Sequence, residues 1–172
     1  MTITRLARTA LVLGAVGLAL ACADAGRVTA PTQARLHTAS RLPGLRLASC
    51  APLPADSASA LVGPAGGTIR VGPHALAIPA GALADTVTIT ARIAADSVDL
   101  VTFGPSGLTF ARPAALTMSY ASCGVLDWLL PKSIVYADAQ WNILDVLPTL
   151  DDALSQTVRA NIGHFSGYAV AW

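Results

Sequence analysis

Few residues in this chain are of types that make or break bonds, and their spacing narrows what they can do. Three Cys stand at 22, 50 and 123, and three His at 37, 74 and 164. The histidines lie far apart and have no Cys or carboxylate at ligand spacing, so no metal and no other cofactor is expected. Asp151-Asp152 and Asp96 to Asp99 lack the glycine and closing acid of a calcium loop, and they read as solvated hairpin tips. Gly63-Pro64-Ala65-Gly66-Gly67 leads into a strand and lacks the Lys-Ser/Thr of a phosphate loop, so it reads as a turn. Ser166 sits in Gly163-His164-Phe165-Ser166-Gly167, which does not have the spacing of a nucleophile elbow. His164-Phe165-Ser166 places an imidazole and a hydroxyl on either side of one carbonyl, and it is the one constellation with covalent chemistry in range. No enzyme acting on other molecules is expected.

The first 22 residues carry an address. Arg5 and Arg8 precede an apolar run from Thr9 to Ala21 that stops at Cys22. The run falls short of the roughly 20 apolar residues that span a bilayer and has the length of a signal-peptide core, so residues 1–21 are expected to be removed on export. Leu18-Ala19-Leu20-Ala21-Cys22 is similar to a bacterial lipobox, in which the Cys receives diacylglycerol before cleavage between Ala21 and Cys22. Ala19 and Leu20 stand in the reverse of the usual order, and Ala19-Leu20-Ala21 is also an ordinary signal-cleavage pattern. The lipobox gives Cys22 a role as the lipid attachment site. With Ala23 rather than Asp next to it, the expected location is the cell envelope, at the outer membrane.

Beyond the signal, composition points to one domain built of strands. Charged residues make up 12% of the chain, Glu is absent and Lys132 is the only Lys, so the solvated faces of helices would be hard to build. Residues 22–48 hold four Arg against Asp24 and read as a basic flexible tether. Residues 49–172 hold five basic groups against nine Asp and read as the domain. A basic tether suits anionic head groups or serves simply as a soluble linker. The acidic domain has no basic stripe, so no nucleic acid is expected as a partner. With Cys22 assigned to lipid, Cys50 and Cys123 remain as an even pair in an oxidising compartment, so a disulfide between them is expected, the alternative being two buried thiols.

The strand signals are short and frequent. Thr86 to Ile93 alternates Val87, Ile89, Ala91 and Ile93 on one face with Thr86, Thr88, Thr90 and Arg92 on the other. Gly66 to Gly72 reads as turn, short strand, turn, and with His74 to Ile78 as a hairpin. Further runs fall at Leu108 to Ala111, Ala115 to Tyr120, Ser133 to Ala137, Trp141 to Val146, Gln156 to Ile162 and Phe165 to Trp172, and only Val125 to Leu130 invites a helical turn. This pattern predicts an all-β, antiparallel β-sandwich. Its expected core is Val87, Ile89, Ile93, Leu116, Met118, Ile134, Val158 and Phe165.

The order Gly66-Gly67-Thr68-Ile69, Leu76 to Leu83 and Thr86 to Thr90 resembles the opening of the ZU-five domain, a β-sandwich module of ankyrins and netrin receptors. Gly104 to Phe110, Arg112-Pro113, Leu116 to Tyr120, Trp141 and His164 to Tyr168 resemble its later strands, so the likeness covers roughly residues 58–172. It implies a fold, with Pro79 and Gly81 shaping a turn and Leu83 in the core. It also implies a protein-binding role, here toward an unknown envelope protein or polymer. The leading expectation is therefore a lipid-anchored, non-catalytic interaction module. In some ZU-five domains of death-domain signalling proteins, His-Phe-Ser is a self-cleavage site. By that likeness, the alternative is a self-processing domain in which Ser166 attacks the Phe165 carbonyl with His164 assisting proton transfer.

Overall fold

The computed structural model describes residues 44–124 and 130–172. The expected signal peptide, Cys22 and most of the tether lie outside the described residues, as do positions 125–129 of the expected helical turn. Eleven strands follow in order: β1 Asp56–Val62, β2 Gly67–Val71, β3 His74–Ile78, β4 Val87–Ile93, β5 Leu100–Gly104, β6 Thr109–Ser119, β7 Ser133–Ala137, β8 Ile143–Val146, β9 Thr149–Asp152, β10 Thr157–His164 and β11 Gly167–Ala171. They form two antiparallel sheets packed as a sandwich, one in the order β1-β4-β5-β11-β7-β8 and the other β2-β3-β6-β10-β9.

The period-two reading of β4 holds. Ile89, Ala91 and Ile93 are buried while Thr88 and Arg92 are exposed, as β-branched residues on a half-buried pleat require. Seven of the eight expected core residues are buried. Val87, at the end of β4 opposite Val62, is half-buried. Leu83 is in the core, and Gly81 supplies the positive φ of 77° that its turn needs.

Several boundaries differ from the sequence reading, each for a local reason. The two runs expected around Arg112-Pro113 are one strand, β6. Pro113 is tolerated there because it faces the irregular part of the β6–β10 ladder, between Ile162 and His164, where no donor is demanded of it. β8 begins at Ile143 rather than Trp141, which sits in the hairpin tip at φ 64°. β1 and β9 were not foreseen. β1 lies on a sheet edge and turns only the small Ala58 and Ala60 and then Val62 inward, a weak apolar signal, and β9 is largely exposed on the other sheet's edge. β5, a Leu-Val-Thr-Phe-Gly run in the middle of its sheet, was likewise missed.

β11 is buried along its whole length. Tyr168 and Val170 face the main core, whereas Ala169 and Ala171 join Val135, Ala137, Leu47 and Leu100 in a second cluster. The entering chain pairs with its far end, Arg46 and Trp172 exchanging both backbone hydrogen bonds at 2.9 Å. Entry therefore lies at the Trp172 end of β11, and the Gly167 end is the opposite end of the sandwich.

Candidate functional site

His164-Phe165-Ser166 is the point where the chain crosses between sheets, His164 closing β10 and Gly167 opening β11. The backbone there is clamped by the β5–β6 connection. Phe165 N–H donates to Leu108 O (2.8 Å), Gly107 N–H donates to Phe165 O (3.4 Å), and Phe103 N–H donates to Ser166 O (3.0 Å). The Phe165 ring closes the gap between the sheets, stacked on Phe103 at 5.4 Å and edge-on to Phe110 at 5.0 Å. Tyr168 is buried and donates its hydroxyl to His164 O at 2.6 Å. Burial, and secondarily Tyr136, pushes the ionisation of the Tyr168 phenol well above the usual tyrosine range.

His164 is exposed. Its ring lies edge-on to Tyr136 at 5.5 Å, and its Nδ1 is 3.5 Å from Phe165 O. Among the described residues the Ser166 hydroxyl has no hydrogen-bond partner, so the imidazole stands beside the carbonyl rather than beside the nucleophile. The structure thus brings the three expected residues together without the hydroxyl-to-imidazole contact that general-base activation uses.

Ser166 also lines a cleft of about 430 Å³, which the sequence reading did not anticipate. Gly167, the first residue of β11, pairs with Thr102 of β5 and with Ala137, the last residue of β7, so β5 alone runs on past it and the cleft lies between β5 and the turn that follows Ala137. Gly167 itself must be glycine, because a Cβ there would stand 2.8 Å from Ala137 O of β7. Across the cleft Asp138 holds the β7–β8 turn, accepting from Gln140 N–H, Asn142 N–H and the Asn142 amide at 2.8 to 2.9 Å. These donors, the Asn142 amide foremost, hold its carboxyl below the usual carboxylate range.

The remaining chemistry-bearing residues gather at the entry end. Cys50 and Cys123 form the expected disulfide, with Cα atoms 3.7 Å apart, and a disulfide is consistent with an extracytoplasmic protein. The reading of Asp99 needs correction. His74 has no carboxylate near it in sequence, yet its Nε2 lies 2.9 Å from Asp99 Oδ1, with both side chains almost fully buried. Asp99 is therefore not part of a solvated tip. Ser119 N–H donates to His74 Nδ1 (3.2 Å), which leaves the ring proton on Nε2, close to the carboxylate but without a well-aligned hydrogen bond to it.

Asp151 was also expected at a tip. It lies in β9, accepting from the Tyr120 hydroxyl (2.8 Å) and from Lys132 N–H (2.9 Å). Burial, reinforced by Asp151, pushes the Tyr120 phenol up to about 12. Lys132 is buried, donates Nζ to Leu130 O at 2.8 Å and lies 5.5 Å from the centre of the Tyr120 ring. Only through-space proximity joins these groups, so no sequence spacing announced them.

No protein-family model matches the chain, and no curated protein matches it.

Proposed function

We propose that this chain is a lipid-anchored, extracytoplasmic, non-catalytic interaction module, held to the outer membrane through Cys22, with a sandwich of the ZU-five type. The observation that carries the reading is the polarity of the sandwich. The chain enters beside Trp172, whereas the cleft opens at the Gly167 end, separated by the length of β11, about 16 Å at 3.3 Å per residue. Attachment at one end leaves the other clear for an envelope protein or polymer. The disulfide suits the same compartment. Fractionation of cells expressing the wild type and Cys22→Ser tests the anchor. The wild type is expected in the membrane fraction and the variant in the soluble one, and globomycin should make a longer precursor accumulate. A wild-type product that is water-soluble, or a variant that stays with the membrane, would overturn it.

A second reading, self-processing, has an observation of its own. Phe165 O has Gly107 N–H at 3.4 Å and His164 Nδ1 at 3.5 Å, two groups placed to support charge on that oxygen. In this reaction Ser166 Oγ bonds to the Phe165 carbonyl carbon and the Phe165–Ser166 amide C–N bond breaks. The hydroxyl proton passes to the freed amine, and water then opens the ester. Denaturing mass spectrometry decides between the readings. Self-processing yields a body ending at Phe165 and a peptide from Ser166 to Trp172, both absent in Ser166→Ala. The non-catalytic reading expects one intact chain.

A further inference from the structure

We infer that the cleft between β5 and the β7–β8 turn binds a small, neutral, hydroxyl-rich ligand of the sugar type. This rests on the reading of the sandwich as an interaction module and specifies what its open end takes. At about 430 Å³ the cleft lies within the roughly 300–1,000 Å³ typical of small-molecule sites. Thr102, Ser106 and Ser166 bring hydroxyls to it, while Leu100, Ala137 and Ala139 contribute apolar surface. A hydroxyl both donates and accepts, so three of them match a ligand whose own polar groups are hydroxyls.

Other ligand classes meet specific obstacles. No Lys, Arg or His lines the cleft, so an anion would find no counter-charge there. Its one charged group is Asp138, whose two oxygens already receive three donors from the β7–β8 turn, so a metal ion would find no open set of ligands. An extended peptide would have to add to β5 alone, since β7 ends at Ala137, opposite Gly167. The β5 wall refuses it. Phe103 N–H is donated to Ser166 O, Pro105 has no N–H, and Pro105 O already accepts from Leu108 N–H.

The test is amide NMR of the purified, oxidised protein in detergent. It is titrated with methyl glucoside, methyl galactoside and N-acetylglucosamine, and separately with glucose 6-phosphate and an uncharged extended hexapeptide. At least one neutral pyranoside should give saturable shifts at Ser106, Tyr136 and Gly167, and neither the phosphate ester nor the peptide should bind as tightly. Ser106→Trp fills the mouth from an exposed loop and should weaken binding by about tenfold or more. Tyr136→Phe should retain most of the affinity. No shifts with any neutral pyranoside, tighter binding of the phosphate ester or the peptide, or affinity unchanged in Ser106→Trp would each overturn the proposal. If an envelope protein captured by the wild type is lost with Ser106→Trp while no sugar binds, the sugar inference falls and the interaction-module reading stands.

Discussion

At the end where the chain enters the sandwich, polar groups are turned on one another. His74 faces Asp99, Tyr120 bonds to Asp151, and Cys50 is joined to Cys123. At the other end, where β11 begins, Thr102, Ser106 and Ser166 line an open cleft, and the buried Phe165 closes the gap between the sheets behind it. The contrast separates two uses of the same residue types. A polar group buried without a partner costs free energy, and pairing answers most of that cost at the entry end, where Asp99 Oδ2 and Trp172 Nε1 are buried without a hydrogen-bond partner among the described residues. The cleft end keeps its hydroxyls in contact with water and can exchange that water for a ligand.

Removing the disulfide should produce the largest difference between the ends. It closes a loop with a sequence separation of 73, and chain-entropy reasoning gives a loss of about 4 kcal/mol on reduction, measured by urea unfolding. At the open end, Ser106→Ala should change stability by less than about 0.5 kcal/mol, since the residue is exposed. Similar losses from both would erase the distinction.

Between the ends, the register of β4 can be tested by Ile89→Ala, which empties a fully buried site and should cost about 3 kcal/mol. Thr88→Ala, one residue away on the exposed face, should cost far less. Equal costs would mean that the faces are reversed.

A smaller effect should appear in alkali. The Tyr120 phenol ionises near 10.0 when unfolded and near 12 when folded. A raised pKa means that the folded state favours the protonated form. Its contribution is complete below pH 10 and is lost as pH rises toward 12. Unfolding midpoints should fall across that window, and Tyr120→Phe should flatten the fall.

The smallest effect belongs to the cleft rim. Asp138 ionises below its ordinary range because the turn donates to it, so its support is present above the unfolded carboxylate pKa of 3.8 and is lost as pH falls through the lower folded value. Amide shifts of Gln140 and Asn142 should move together on acidification, and Asp138→Asn should remove that transition.

How legible each end was in the sequence follows the same division. β4 was readable because Thr and Ile alternate on a strand with one exposed face, and Cys50 with Cys123 was readable from parity and compartment. Asp99, Asp151 and Lys132 were not, because their partners stand 25, 31 and 12 residues away and meet only when the sheets pack. His164-Phe165-Ser166 was legible as a tripeptide, but its crossover geometry was not. The cleft left no sequence signal, since its lining comes from β5, the β5–β6 connection, the β7–β8 turn and the start of β11, which meet only in the folded sheet.

The most direct test is the intact denatured mass of the mature protein, purified without reductant from a lipoprotein-processing bacterium. The expected result is one covalent chain beginning at Cys22, carrying acyl mass there, lacking two hydrogens for the Cys50–Cys123 bond and running unbroken through Phe165–Ser166. A mature chain without lipid on Cys22, or a body ending at Phe165, would contradict an anchored, non-catalytic module.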